Sequence, residues 1–378
     1  MMAKRIGHII MLFFALSAAF LHAQDKKKIN QLVKSGTLEI YENPDKAIKI
    51  GNQAIALAGN DKDLMIKGLM LIADAYSSKR DYEKSLEYVI RAKDLSTKID
   101  RQTVQIMLLT KAAIICQQLK IYDKALQYLD ESDKLGAVYP IRDSVRFNMG
   151  NNFIIRGFIY KEQLNCDIAI SYFKDGMNEY RQVTSPLVNA NMSIVTYNIG
   201  NCLILLSDNA AAKKSYMESI AYAEKVDAKS LKAFAQKGLA EVYTLEGKYD
   251  DAIKVLLEAM KSSSTVGDLV LNQGIYKGLS ENYLAVNDWG NYRKFHQQYL
   301  DTQLKTTTSE RKSVSDSLNE SSGIQNQKLA QSKSWYTCGM LVFAALSLLA
   351  ITFIIRDRRK SKKRLFELRE KIKKLQIN

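Results

Sequence analysis

A phrase that returns every 40–44 residues constrains this chain more than any other feature. Each copy is too small to bury its own apolar face, so the copies must be supersecondary modules that stack on one another. The phrase reads DYEKSLEYVIRA at 81, IYDKALQYLDES at 121, NCDIAISYFKDG at 165 and KYDDAIKVLLEA at 248, with weaker copies at 208 and 288. Inside it a small residue recurs at Ser85, Ala125, Ala169, Ala212 and Ala252. Twelve residues earlier stands another, at Ala73, Ala113, Gly157, Gly200 and Ala240, followed three residues on by Tyr76, Cys116, Tyr160, Leu203 or Tyr243. Two small positions at a constant offset predict a helical hairpin whose backbones approach where side chains are short, joined by a turn of constant length. The three prolines fit this phasing: Pro140 and Pro186 fall between copies, and Pro44 falls in the turn inside the first.

The register extends to a degenerate unit on Ser280, Tyr283 and Tyr292 and to an N-terminal unit on Ser35 and Ala47, as expected of units that cap a stack. This pattern of small, Tyr, Y-D/E-x-A and small residues resembles the tetratricopeptide repeat over Ile29 to Leu300. The resemblance implies an all-α, right-handed superhelical solenoid of about seven helix-turn-helix repeats. The period exceeds the family's 34 residues, and the excess is expected between one repeat's second helix and the next repeat's first. The tryptophan of the family's first signature position is missing.

Outside the repeats the chain carries targeting signals. Lys4 and Arg5 precede an apolar run from Ile9 to Phe20 and a small residue at Ala23, the pattern of a secretory signal peptide over 1–23. Leu21 is larger than the usual residue there, which leaves an uncleaved anchor as the other reading; no Cys follows the cut to carry a lipid. Trp335 to Ile355 is 21 residues without a charge, long enough for one C-terminal transmembrane helix. Arg356 to Asn378 holds eleven Lys or Arg against three acids, more than half of the chain's net +15, and places that end in the cytoplasm. The high pI therefore reflects a basic tail, and no nucleic-acid partner is expected. The expected order is signal peptide 1–23, solenoid 24–300, stalk or linker 301–334, span 335–355 and cytoplasmic tail 356–378. Twelve of the 34 stalk residues are Ser or Thr, which fits a helical stalk or a disordered tether. In the tail, Leu365, Leu368, Ile372 and Leu375 make a short a/d seam, which fits pairing of two copies as a homodimer through stalk and tail, a basic amphipathic helix lying on anionic lipid, or a frayed end that only fixes orientation.

The chemistry of catalysis is missing from this pattern. His296 is the one histidine after the signal, and there is no H-E-x-x-H, C-x-x-C, G-x-x-x-x-G-K-[ST] or G-x-S-x-G. No enzyme, cofactor or metal is expected. Cys116, Cys166 and Cys202 are an odd set, 50 and 36 residues apart, and read as small buried hydrophobes. By the resemblance, the first helix of each repeat lines a concave groove for a peptide or protein ligand. Its outward positions are Met70 and Asp74; Thr110, Ile114 and Gln117; Ile154, Phe158 and Lys161; Tyr197, Asn201 and Ile204; Lys237 and Glu241; Lys277 and Glu281. Such side chains also serve as ordinary helix packing. The expected function is a non-enzymatic interaction scaffold or sensor subunit, periplasmic or otherwise extracytoplasmic and anchored in the inner membrane. The alternative is the sensory half of a transmembrane signalling or transcription regulator whose output domain lies on another chain or is lost.

Overall fold

The computed structural model describes residues 26–40, 43–263 and 268–375; the signal-peptide residues 1–23 lie outside the described residues. The described chain is helical throughout, with no strand. Its helices are α1 (26–39), α2 (Pro44–Ala58), α3 (Lys62–Ser78), α4 (Tyr82–Ser96), α5 (Gln102–Gln118), α6 (Tyr122–Val138) and α7 (Arg146–Glu162). They continue with α8 (Cys166–Tyr180), α9 (Leu187–Leu205), α10 (Asn209–Glu224), α11 (Lys229–Leu245), α12 (Tyr249–Ser263), α13 (Leu269–Ala285) and α14 (Trp289–Leu375). Seven antiparallel pairs follow, α1/α2 to α13/α14, in the register of the small residues. Met1–Ser309 forms one compact unit and Glu310–Asn378 a second.

Six of the seven pairs share one turn. Three residues separate the helices, and the middle one is left-handed: Arg80, Lys120, Leu164, Ser207, Gly247 and Asn287, with φ between 59 and 71°. The amide of the third residue reaches back to the carbonyl of Tyr76, Cys116, Tyr160, Leu203, Tyr243 or Tyr283 at 2.8–3.0 Å. This is the Schellman closure, which satisfies carbonyls at the end of the first helix and turns the chain into the second. The next helix starts at once, capped in three pairs by Asp81, Asp208 and Asp288, whose carboxylates accept from the amides of Lys84, Ala211 and Asn291. Connections between pairs vary, from three residues after α2 to seven after α6, where a 3₁₀ turn at Arg142–Ser144 intervenes. From α3 to α12 each pair spans 35–38 residues by itself, so longer helices as well as the connections lengthen the period beyond 34 residues, whereas the expectation placed the excess between pairs.

Inside each pair the two small columns meet a third column that the repeat phrase did not reveal. Sixteen residues after Ala73, Ala113, Gly157, Gly200 and Ala240 stand Val89, Leu129, Phe173, Tyr216 and Leu256, all buried. Size is exchanged across the contact: alanine faces an aliphatic side chain and glycine faces an aromatic ring. A Cβ on Gly157 would lie 2.5 Å from the Phe173 ring, and one on Gly200 would lie 2.7 Å from Tyr216. Tyr216 is also held against Gly238 of the next pair, where a Cβ would lie 2.4 Å away, and its hydroxyl donates to Asn201 at 2.8 Å. A fourth column, Ala92, Ser132, Gly176, Ser219 and Ala259, keeps the second helices close to the first-helix layer.

In the second unit, Trp335–Leu365 is a helical stretch long and apolar enough to cross a membrane by length and composition. Its apolar side chains, such as Trp335, Leu341 and Phe343, are exposed. Of the tail seam only Leu365 has a described side chain, and it is exposed; Leu368, Ile372 and Leu375 fall outside the described side chains.

Two predictions follow from the pair geometry. Gly157→Ala is expected to destabilise by about 1–3 kcal/mol through overpacking against Phe173. Adding Phe173→Leu recreates the Ala113/Leu129 combination of the preceding pair, so the double variant should be more stable than the sum of the singles by about 1 kcal/mol in denaturant unfolding; strict additivity would refute the exchange of size. Leu164 is 79% exposed and sits at φ 59°. Leu164→Gly is therefore expected to stabilise by about 0.5–1 kcal/mol, read as a higher denaturant midpoint.

Candidate functional site in the first-helix layer

The first helices stand side by side as the inner layer of the stack. α5 lies against α7, α9 against α11 and α11 against α13, whereas α7 and α9 approach less closely. An apolar pocket of about 180 Å³ occupies the gap. Ile114 of α5, Ile154 and Phe158 of α7, and Ile194 and Val195 of α9 supply its walls, and Gln117, Gln118, Asn151 and Asn191 supply its amides.

Tyr180, near the end of α8, closes the pocket from beneath. It reaches this place because Gly150 has no side chain: a Cβ there would lie 2.6 Å from the ring. The Tyr180 hydroxyl donates to Asn151 and accepts from the Asn191 amide nitrogen at 3.2 Å, so one buried phenol links α7 and α9. Burial pushes its pKa well above the usual tyrosine range. Phe158 is braced edge-on against Phe173, with ring centroids 5.4 Å apart. The pocket thus combines a fixed apolar lining with neutral amides, groups that both donate and accept hydrogen bonds.

One helical turn along from the pocket, Lys161 of α7 reaches across to α9 and donates to the Asn198 amide oxygen at 2.6 Å. Asn198 is itself oriented by donating to the Ile194 carbonyl at 2.7 Å. Burial pulls the Lys161 pKa below the ordinary lysine value, because a partly desolvated ammonium favours its neutral form.

Other expected groove residues divide into four groups. Thr110 is 2% exposed and presents no surface: it hydrogen-bonds Ser132 at 3.2 Å and Asn152 at 2.8 Å in a polar cluster among α5, α6 and α7. Its helical position is one turn before Ile114, but α6 and α7 close over it. Tyr197 packs between Tyr216 and Phe234, and Asn201 accepts from Tyr216, so both brace the α9/α11 contact. Lys237 and Glu241 line a second, larger depression of about 440 Å³ with Lys277 and Glu281, which pair with each other at 3.7 Å. Toward the N-terminus, Asp74 pairs with Lys111 at 2.6 Å.

Gln118, Asn151, Tyr180, Asn191 and Asn198 were absent from the sequence-based set. A signal for them existed: asparagine is a poor helix former, yet it recurs on the first helices at 148, 151, 152, 189, 191, 198 and 201. Among the described residues no three His, Cys, Asp or Glu gather as metal ligands, and His296 lies between the rings of Tyr292 and Tyr299. Cys116, Cys166 and Cys202 are free and buried. The Cys202 thiol is pushed up to about 12 by burial and by the adjacent Cys166 thiol.

Comparison with known proteins agrees with this architecture. Residues 66–98 and 191–263 match models of the tetratricopeptide repeat. No curated protein matches the sequence. Among solved structures, the chain resembles the Rap conjugation gene regulator of the plasmid pLS20, determined in complex with the Phr* peptide. The two are 18% identical over 75% of each chain, with a TM-score of 0.54. It also resembles the apo form of RapI, at 9% identity over 75% of this chain and 77% of that one, with a TM-score of 0.55. A third is the signal transduction ATPase with a tetratricopeptide repeat sensor from Pyrococcus horikoshii, at 13% identity over 72% of this chain and 47% of that one, with a TM-score of 0.50. At these identities the likeness is one of fold.

Lys161 supplies a stability prediction. Its folded-state pKa is lowered, so the folded chain binds fewer protons than the unfolded one as pH approaches the ordinary lysine range, and the parent gains stability as pH rises. Lys161→Met is expected to raise the melting temperature at pH 7 by about 2–4 °C, equivalent to about 1 kcal/mol. That advantage should shrink as the pH is raised towards 10. A lower melting temperature at pH 7, or an advantage that grows with pH, would contradict the assignment.

Proposed function

We propose that this solenoid of tetratricopeptide repeats is a non-enzymatic docking subunit that holds an extended peptide, or an extended segment of a protein, along its first-helix layer. The amide-rimmed apolar pocket between α5, α7 and α9 carries this reading. An extended backbone offers unpaired N–H and C=O groups that Asn and Gln side chains complement, and a pocket beneath them takes an apolar side chain. The peptide complex of the pLS20 regulator, which shares the fold, supports the same kind of ligand.

The location belongs to the same reading. The apolar run within Trp335–Leu365, followed by the cations from Arg356 onward, supports a single span with the solenoid outside the cytoplasm and the tail inside. In that arrangement the second unit is an anchor. The short apolar seam of the tail would let two copies approach inside the membrane's cytoplasmic face, giving an occupied groove a means of acting on a partner there.

A photo-crosslinking residue placed at Phe158 in whole cells tests the reading against one at Lys174, an exposed position on α8. Adducts are expected from position 158 and not from 174, and protease added outside the cytoplasmic membrane should destroy them. Equal adducts at both positions would remove the groove from the reading. Adducts that resist protease until the membrane is opened would reverse the topology.

A further inference from the structure

The antiparallel packing of α8 on α9 brings two cysteines together. Towards the start of α8 the buried core runs Met177, Phe173, Ala169, Cys166; towards the end of α9 it runs Met192, Val195, Ile199, Cys202, all in one cluster. Steps of three or four residues in opposite directions set the first residue of α8 level with the last turn of α9. The two thiols are close enough to hydrogen-bond, and both are free and buried. Cys116 belongs to a different cluster. A small hydrophobe at either position would satisfy packing; two thiols in contact add a chemistry that packing does not need.

The closed fold protects this pair. Cys202 is fully buried, and burial together with the neighbouring thiol raises its pKa, so little of the reactive thiolate is present. Cys166 has the shorter way out. It follows directly on a turn, residues 163–165, that is exposed throughout. Leu164 holds the left-handed conformation at φ 59°, and Asn165 makes no side-chain cap, whereas Asp81, Asp208 and Asp288 cap α4, α10 and α14. A strained and uncapped first turn opens at a smaller cost than the helix it begins. An opening of one turn admits a small reagent more readily than a folded partner.

We propose that Cys166 and Cys202 are a redox-active dithiol that exchanges with low-molecular-weight disulfides when the first turn of α8 opens. The Cys166 thiolate attacks one sulfur of the incoming disulfide, whose S–S bond breaks and releases one thiolate. The Cys202 thiolate then attacks the Cys166 sulfur and expels the second. The pair gives up two protons and two electrons, and the reagent leaves as two thiols. The new bond ties the second helix of the fourth pair to the first helix of the fifth, the junction whose Tyr180 and Val195 line the pocket. Such a bond persists in an oxidising compartment, where the proposed location puts the solenoid; the exchange itself is independent of peptide docking.

The test uses the full-length Cys338→Ser chain in lipid nanodiscs, so that the thiol of the apolar stretch cannot react, with oxidised glutathione as the probe. Peptide mapping after alkylation in acid is expected to show Cys166 joined to Cys202 and Cys116 still a thiol. The oxidised chain should melt roughly 5–10 °C above the reduced one, a gain that dithiothreitol reverses. Glutathione should not raise the melting temperature of Cys202→Ala. Leu164→Gly, which relaxes the turn without adding a charge, should oxidise about two- to fourfold more slowly. The mapping is made on a chain that keeps both thiols, so it does not depend on either variant folding. Free thiols at both positions, a glutathione adduct without the internal bond, a bond to Cys116, or a bond that fails to raise the melting temperature would overturn the inference. An unchanged rate in Leu164→Gly would overturn the route through the first turn of α8.

Discussion

The close approach of the two helices in each pair is the contact on which the rest of this structure depends. It needs a short side chain on both helices and a complementary volume one turn away, and the chain meets the need differently from pair to pair. Ala113 faces Leu129, while Gly157 faces Phe173 and Gly200 faces Tyr216. Because interiors are packed to near-crystalline density, the sum across the contact is held more tightly than either residue. The repeats can thus diverge in sequence while the spacing of the pairs stays constant.

That spacing reaches the candidate site through the aromatic rings that replace missing side chains. Tyr216 sits between Gly200 and Gly238 and holds α9 to α11. Tyr180 sits beneath Gly150 and ties Asn151 to Asn191 across the gap between α7 and α9. The same exchange of glycine for aromatic volume that closes one junction leaves the neighbouring one open, with a hydrogen-bonded floor and apolar walls. The longest connections between pairs, after α6 and α8, flank α7 and precede α9. The opening and the irregular spacing of the repeats therefore occur in the same part of the solenoid.

Charge is distributed by a separate logic. More than half of the excess of cations lies in Arg356 to Asn378, directly after the charge-free run from Trp335 to Ile355. Within the stack, Lys161 and Lys67 donate to the neutral amides of Asn198 and Asn30, whereas Lys111 and Lys277 pair with Asp74 and Glu281.

The helical pairs, their number, their register and their joining turns were legible in the sequence because each depends on local chemistry repeated at a fixed offset. Ile114, Ile154 and Phe158 were legible as a group for the same reason, since they occupy one face of successive first helices. Several other features lay beyond such reading. Thr110 shares that face in sequence, yet α6 and α7 enclose it, and Tyr180 comes from a second helix to floor a pocket in the first-helix layer. The pairing of Lys161 with Asn198 joins positions 37 residues apart, set by how far α7 and α9 diverge. Periodicity records which face of a helix a residue occupies. How closely that face approaches the next helix is decided by side-chain volumes contributed from several repeats at once, and only the packed structure brings those together.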